Sequence, residues 1–93
     1  MNKVLFPKKD YVKELVRIFK LSKNSQKLVK TLSKYHEKDI AEAITLLTPA
    51  ERQHIYNVLD EHMIAEIFSY LDDTEKYLEE LSLEKAARVV SYM

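Results

Sequence analysis

Three histidines are the side chains of this sequence best suited to bind a transition metal, and their spacing argues against such a site. A two-histidine zinc face on a helix needs an i, i+4 pair followed by a third ligand. His54 and His62 are eight residues apart, and His36 directly precedes a predicted helix. We predict that His36 lies at a helix start and that the other two border the core or face water.

Six tyrosines could stack on the bases of a single-stranded nucleic acid if they lined a basic groove. They are Tyr11, Tyr35, Tyr56, Tyr70, Tyr77 and Tyr92. Five of the six lie in the acidic part of the chain that begins at Tyr35, most of them beside leucines at helical spacing. Tyrosines in that setting usually border the core with a solvated hydroxyl. The sequence therefore predicts core-edge tyrosines and no nucleic-acid partner.

The composition excludes several classes of enzyme. The 93 residues contain no cysteine and no glycine, which removes thiolate nucleophiles, Gly-x-Ser-x-Gly elbows and glycine-rich phosphate loops. Carboxylates are plentiful, but many fall in the first turn of a predicted helix, where they favour the positive end of the helix dipole. We predict that the protein is not an enzyme. An acidic helical surface can still bind Mg²⁺, which needs only one or two carboxylates.

The net charge of zero conceals two halves of opposite sign. Up to Lys34 there are ten basic and two acidic residues, a formal charge of +8, and from Tyr35 onward there are five basic and thirteen acidic residues, a formal charge of −8. We divide the chain into a basic N-terminal helical region, 1–34, and an acidic helical-repeat region, 35–93, of the same domain. For the basic residues within 3–34 we consider an anionic membrane surface, an acidic neighbouring domain or a simple solvated helix face.

Helical periodicity indicates which elements position these residues. The first helix begins at Asp10 as N-cap and runs to about Leu21. A second helix carries an apolar stripe of Leu28, Val29, Leu32 and Tyr35. Three later junctions offer capping oxygens, at Thr48-Pro49-Ala50-Glu51, Asp72-Asp73-Thr74-Glu75 and Ser82-Leu83-Glu84-Lys85. The first of these junctions is predicted to form a capping box.

From His36 onward the helices repeat. Each ends at a large apolar residue, and these residues are Leu47, Leu59, Leu71, Leu81 and Met93. Residues 40–47 align with 64–71 and with 86–93, which gives a helix-pair repeat of roughly 22 to 24 residues. Helices of about ten residues are marginal alone and must bury a shared apolar stripe against their neighbours. We predict an all-α fold of short stacked helices.

The repeat resembles the cytosolic N domain of MgtE-type magnesium transporters. The segments that carry the resemblance are HEKDIAE at 36–42, LTPAER at 47–52, IAEIF at 64–68 and LSLEKAA at 81–87, within a likeness that covers about 26–93. The resemblance implies a right-handed superhelical solenoid whose C-terminal helices would follow Met93. Glu37 stands where that family often has proline, and the lysine-rich residues 1–34 have no counterpart in the family pattern.

The resemblance also implies a function. In the MgtE family this domain precedes paired CBS domains and a transmembrane pore in a homodimer, and magnesium bound between the cytosolic domains holds the pore closed. We therefore expect a cytoplasmic domain of an inner or plasma membrane protein that binds Mg²⁺ weakly and only together with its CBS partner. The superhelical domain of the flagellar motor switch protein FliG is similar, so a FliG-like or free-standing protein-interaction module is the alternative.

One metal ligand is assigned by the resemblance. Glu66, in the segment IAEIF, falls where the family presents a magnesium-facing glutamate. The equivalent residues of the other repeats are Glu42 and Arg88, so the carboxylate is not required for packing. Further ligands of the family would lie beyond Met93.

Overall fold

The computed structural model describes residues 10–93, in which every helix is short. The helices are α1 (Tyr11–Leu21), α2 (Ser25–Leu32), α3 (Glu37–Thr45), α4 (Pro49–Val58), α5 (Glu61–Phe68), α6 (Thr74–Leu78) and α7 (Leu83–Ser91). No strand occurs within residues 10–93, and no helix of this range is long and apolar enough to span a bilayer. The predicted all-α fold is confirmed. Lys3, Lys8 and Lys9, which belong to the predicted basic region, lie outside the described residues.

Side-chain oxygens begin several helices where the sequence predicts them. Asp10 and Ser82 each accept a hydrogen bond from the backbone N–H three residues later, at 3.0 Å and 3.2 Å. At the start of α4, the Thr48 hydroxyl accepts from the N–H of Glu51 at 3.2 Å, and the Glu51 carboxylate accepts from the N–H of Thr48 at 2.9 Å. This reciprocal pair is the predicted capping box. His36 also begins a helix, since its Nδ1 accepts from the N–H of the second residue after it at 3.0 Å.

The start of α6 differs from the prediction. Asp73 is the N-cap residue of α6, but its side chain makes no capping hydrogen bond. The hydroxyl of Thr74 instead donates towards the carbonyl oxygens of Phe68 and Leu71, each at 3.2 Å. Thr74 therefore stabilises the loop after α5, and the side chain of Asp73 does not cap α6.

The apolar stripe of α2 is also narrower than predicted. Leu28 and Leu32 are buried, whereas Val29 is exposed and Tyr35 follows the end of the helix. A helix of eight residues makes little more than two turns, so it presents only two positions directly to the core.

Alternate helices form a row along an elongated molecule. The helix α1 packs on α3, α3 on α5 and α5 on α7, and the molecule measures 52 × 28 × 21 Å. In this arrangement each helix of the row contacts the preceding and following members of the row. Such nearest-neighbour packing is the organisation of helical solenoids, which agrees with the predicted helix-pair repeat.

The core runs along the row and is filled mainly by aliphatic side chains. Leu15, Ile40, Phe68 and Val89 have no exposed surface. Four of the predicted helix-closing residues, Leu47, Leu59, Leu71 and Leu81, are buried, and the fifth, Met93, is exposed. Burial of each large apolar side chain contributes about 1.5–3 kcal/mol. Since the shortest helix has five residues, this shared core supplies most of the helical stability.

Two side-chain contacts attach the basic helix α1 to later parts of the chain, one to the start of α4 and one to the segment between α2 and α3. The Nζ of Lys20 lies 3.1 Å from Oε2 of Glu51 at the start of α4. The hydroxyl of Tyr35 donates a hydrogen bond to the carboxylate of Glu14. This hydrogen bond, together with burial, raises the pKa of Tyr35 to about 12. The basic N-terminal helices and the acidic repeat are therefore parts of one packed unit.

The joints between helices use ordinary backbone conformations. The residues that cap the seven described helices all have negative φ angles, between −62° and −116°. None of these positions requires the left-handed region that favours glycine. The fold thus forms from a chain that has no glycine at all.

The capping box predicts a measurable loss on substitution of Thr48. We expect Thr48→Ala to lower the free energy of unfolding by about 1 kcal/mol, because the N–H of Glu51 loses the hydroxyl that accepts its hydrogen bond. Thr45→Ala is the matched control, since Thr45 is exposed at the end of α3 and its hydroxyl only donates to the carbonyl of Glu42 at 2.6 Å. Urea denaturation followed by circular dichroism measures both changes. Equal losses in the two variants would contradict the capping role.

Candidate functional site

Glu66 lies on the exposed side of α5, as expected for a residue available to a ligand. Its neighbours Ala65 and Ile67 are buried, whereas 54% of the Glu66 side chain is exposed. The residue lies in the last turn of α5, where the negative end of the helix dipole disfavours a carboxylate by about 0.3–1 kcal/mol. Glu66 therefore contributes neither packing nor a favourable dipole interaction to the fold.

The nearest ionisable partner of Glu66 is His62, one turn earlier in α5. His62 Nδ1 lies 3.3 Å from Glu66 Oε1, and this contact is an ion pair only when the imidazole is protonated. The imidazole ring also packs on Tyr92 of the α7 end, with ring centroids 4.8 Å apart. His54 and His62 are both exposed, which agrees with the prediction that they border the core or face water.

Glu66 belongs to a surface that repeats along the solenoid. We call this surface the repeat face and define it by two rows of equivalent exposed residues, Glu42, Glu66 and Arg88 in one row and Leu46, Tyr70 and Tyr92 in the other. The equivalence follows from the helix-pair repeat, because α3, α5 and α7 pack in sequence. The repeat face therefore presents charged and apolar side chains together.

A shallow groove lies on the repeat face beside Glu42. Its volume is about 280 Å³, and it is lined by Lys38, Glu42, Thr45, Tyr70, Leu71 and Asp72. The imidazole of His36 packs against Tyr70 with ring centroids 5.5 Å apart. The groove is therefore lined by both charged and apolar side chains, and the ring contact with His36 holds Tyr70 at its edge.

Glu66 can supply one carboxylate to a metal ion. Within residues 10–93, no three His, Cys, Asp or Glu side chains come together in a group able to hold a metal. Mg²⁺ keeps several water molecules and is commonly bound through one or two protein carboxylates. The exposure and chemistry of Glu66 therefore fit a magnesium ion that takes its other ligands from a second surface.

A buried polar network joins α4 to the loop after α6, and only its α4 half is indicated by the residue pattern. Arg52 is the one buried charged residue among those described. Its Nε donates to Glu80 Oε1 at 2.9 Å and its Nη2 to Glu80 Oε2 at 2.7 Å. Its Nη1 donates to the carbonyl oxygen of Leu47 at 2.5 Å. The guanidinium thus makes a bidentate ion pair with Glu80 and also donates a hydrogen bond to the backbone just after α3.

Two tyrosines complete this network. The hydroxyl of Tyr56 donates to Glu80 Oε1 at 2.7 Å, and the ring of Tyr77 lies 5.1 Å from the guanidinium carbon of Arg52. Both tyrosines are buried. The predicted solvated hydroxyl is therefore wrong for Tyr56, because the chain path brings a carboxylate to it.

The network shifts the acidity of its members. Burial and the hydrogen bond to Glu80 raise the pKa of Tyr56. For Glu80, burial alone would raise the carboxyl pKa, but the hydrogen bonds from Arg52 and Tyr56 outweigh burial and lower it. The hydrogen bonds between Arg52 and Glu80 raise the pKa of Arg52, although burial of the guanidinium acts in the opposite direction. Glu80 is therefore an ionised structural partner, and its oxygens are already engaged within the chain.

The helical spacing of the sequence indicates the buried position of Arg52 but not its partner Glu80. Arg52, Ile55, Tyr56 and Leu59 follow the i, i+3, i+4, i+7 pattern that faces a core, which identifies Arg52 as a charged residue on a buried face. Glu80 lies 28 residues further along the chain, among several other carboxylates. Its selection as the partner of Arg52 depends on the way the helices pack.

The helix-pair repeat and the all-α row agree with the family that this sequence matches. Residues 35–93 match the family model described as the MgtE intracellular N domain. The chain belongs to this family. The matched residues comprise α3 to α7, so the repeat face and the Arg52 network lie within the MgtE N domain. No curated protein and no solved structure gives a significant match.

The basic helices α1 and α2 precede the matched residues. The lysines of these helices are therefore a feature of this chain that the family match does not describe.

The buried network of the MgtE N domain predicts a large effect of removing its carboxylate. We expect Glu80→Gln to lower the free energy of unfolding by about 3 kcal/mol, because Arg52 would keep a buried charge without its partner. Glu79→Gln is the matched control, since Glu79 is an exposed neighbour and surface changes usually stay within about 0.5 kcal/mol. Urea unfolding at neutral pH measures both. Similar losses would show that the ion pair does not contribute to stability.

The lowered pKa of Glu80 further predicts a pH dependence. The carboxyl pKa is lower in the folded than in the unfolded chain, so its stabilising contribution is present above the unfolded value, near pH 4.5. That contribution is lost as the pH falls through the folded value. We expect the difference in unfolding free energy between the wild type and Glu80→Gln to shrink between about pH 6 and pH 3. A difference that stays constant over this range would contradict the lowered pKa.

Proposed function

We propose that this chain is a magnesium-sensing regulatory domain of an MgtE-type magnesium channel or transporter. In this proposal, its acidic surface binds Mg²⁺ together with the CBS domains of the same protein, and the bound ion favours the closed pore. The observation that carries the proposal is the match of residues 35–93 to the MgtE intracellular N domain. The exposed position of Glu66 supports it.

The geometry of Glu66 favours a site shared between two surfaces. Glu66 belongs to no group of three or more potential ligands within residues 10–93, and a site with so few carboxylates binds Mg²⁺ weakly, since the ion gives up its water molecules reluctantly. A facing domain that supplied a further carboxylate would complete the coordination. Magnesium binding would then depend on the distance between the two domains, which is the property that a sensor requires.

The physical basis of the proposed regulation is a shift between two arrangements. An ion that binds only when the acidic surfaces are close stabilises the closed arrangement in proportion to its differential affinity. Residues 35–93 carry a formal charge of −8. When magnesium is scarce, repulsion between this half and another acidic surface would favour separation. The exposed apolar row of the repeat face would limit the docked arrangement to one orientation.

That apolar row also favours a second candidate function. Leu46, Tyr70 and Tyr92 are exposed at equivalent positions, and exposed aromatic and leucine side chains are typical of protein contacts. A FliG-like or free-standing interaction module would use the same surface without a metal ion. The two functions differ in whether the contact responds to magnesium.

The sequence encoded after codon 93 provides a first check. The proposal expects two CBS-like segments followed by several runs of about 20 apolar residues, the length needed to cross a bilayer. A reading frame that continues into an unrelated soluble domain would contradict the transporter assignment and favour the interaction module.

Substitution of Glu66 tests the assigned ligand in the protein that contains this chain and its partner domains. We expect magnesium to compact the cytosolic domains, and we expect Glu66→Gln to raise the magnesium concentration needed by about tenfold, a typical coupling between linked sites. Small-angle scattering or limited proteolysis over a magnesium titration measures the midpoint. Potassium chloride at matched ionic strength separates specific binding from screening.

Glu42→Gln is the matched control for this experiment. Glu42 occupies the equivalent position of the preceding repeat, and its substitution removes the same charge. An unchanged midpoint in Glu66→Gln would refute the residue assignment. Equal shifts in both variants would indicate a diffuse acidic surface instead of a site at Glu66. A protein that shows no magnesium response, but captures a partner without the ion, would refute the sensor and support the interaction module.

A further inference from the structure

The helices α1 and α2 form an exposed basic end of the molecule. Between residues 10 and 34 there are seven basic and two acidic side chains, a formal charge of +5. The seven basic residues are all exposed, and they are Lys13, Arg17, Lys20, Lys23, Lys27, Lys30 and Lys34. Of these seven, Lys20 is the one that the described part of the chain places in an ion pair. Most of this positive charge is therefore available to an external anion.

Four lysines, which we call the lysine stripe, lie on and beside α2, and only one of them is placed favourably for the helix. Lys27 and Lys30 lie within α2, whereas Lys23 precedes its N-cap and Lys34 follows its C-cap. Lys27 lies in the first turn, which contains no acidic residue, so its charge opposes the helix dipole, and Lys30 lies in the last turn, where the dipole favours it. The buried residues Leu28 and Leu32 hold α2 in place instead. The lysine stripe is thus not explained by the stability of the fold.

An exposed leucine accompanies the lysine stripe. Leu21 lies at the end of α1, between Lys20 and Lys23 in sequence, and 71% of its surface is exposed. Val29 on α2 is also exposed. Apolar side chains beside lysines are the pattern of protein surfaces that bind the interface of a bilayer, where the lysines meet lipid phosphates and the apolar groups enter the headgroup region.

The distribution of charge along the molecule would orient it on such a surface. The basic end lies at one end of the row of helices, and residues 35–93 carry the opposite formal charge of −8. An anionic bilayer attracts the first and repels the second. A nucleic acid would also attract the lysines, but its phosphate backbone offers no apolar region for Leu21. The lipid surface therefore accounts for both the lysines and the leucine.

We propose that the basic surface formed by Lys23, Lys27, Lys30, Lys34 and Leu21 docks on an anionic lipid bilayer. This contact does not require a metal ion, a CBS domain or the Glu66 site. It would hold the N-terminal end of the domain at the membrane while the acidic repeat face remains accessible to other partners. Failure of the magnesium proposal would leave this proposal intact, because its test uses the 93-residue chain alone.

Co-sedimentation with lipid vesicles tests the proposal. The vesicles are pure phosphatidylcholine, or phosphatidylcholine with about 30% phosphatidylglycerol as the anionic lipid. We expect binding to the anionic vesicles and little binding to the neutral ones. Raising the salt from about 0.1 M to about 0.5 M should release most of the bound protein, because the lysine–phosphate attraction is screened.

Two double variants distinguish an effect of the lysines at the basic surface from an effect of the total charge of the protein. Lys27→Gln/Lys30→Gln removes two lysines of the surface, and Lys38→Gln/Lys76→Gln removes two exposed lysines of the acidic half. We expect about a 30-fold weaker partition for the first variant, as two basic residues leave the lipid surface, and less than a threefold change for the second. Circular dichroism of both variants verifies the helical content.

Three outcomes would overturn the proposal. The first is equal binding to neutral and anionic vesicles, and the second is an equal loss in the two double variants. The third is binding to a DNA duplex, at the same salt concentration, that is tighter than binding to the anionic vesicles. That result would identify a nucleic acid as the partner of the basic surface.

Discussion

The dependence of each short helix on its neighbours is the constraint from which the rest of this structure follows. The described helices contain between five and eleven residues, too few to form stably in isolation. Each obtains its stability from apolar side chains that it shares with the next member of the row. The same constraint produces the elongated shape, because stacking in one direction satisfies every helix without enclosing a central core. It also leaves one side of α3, α5 and α7 exposed, and the repeat face consists of those exposed sides.

The Arg52–Glu80 pair supports the molecule at its shortest helix, which lies outside the row. The helix α6 contains only five residues and has no side-chain cap at its start. The network ties the loop after α6 to α4 through bonds from Arg52, Tyr56 and Gln53. A buried ion pair contributes little net stability compared with apolar packing, but it has a strict geometry. Its role here is to fix the position of a weak helix.

Much of this fold could be predicted from the sequence, because its signals are local. The caps at Asp10, Thr48 and Ser82 and the buried leucines at helix ends depend on residues a few positions apart. Val29 was predicted as a core residue and is exposed, since periodicity does not reveal how much of a short helix faces the core. The partner of Arg52 was not predictable, because Glu80 becomes its neighbour only through tertiary packing. Glu66 came from a family resemblance, and its exposure and unfavourable helix position are what the structure adds.

The backbone of the joints has a consequence for the evolution of the domain. Every capping residue has a negative φ angle, so any L-amino acid can occupy these positions without steric penalty. A fold whose corners depended on glycine would retain those glycines in its descendants. Here the corners require no glycine, and what several of them use instead is a capping oxygen, as at Asp10, Thr48 and Ser82. Any residue that supplies such an oxygen can replace another at these corners while the arrangement of the helices persists.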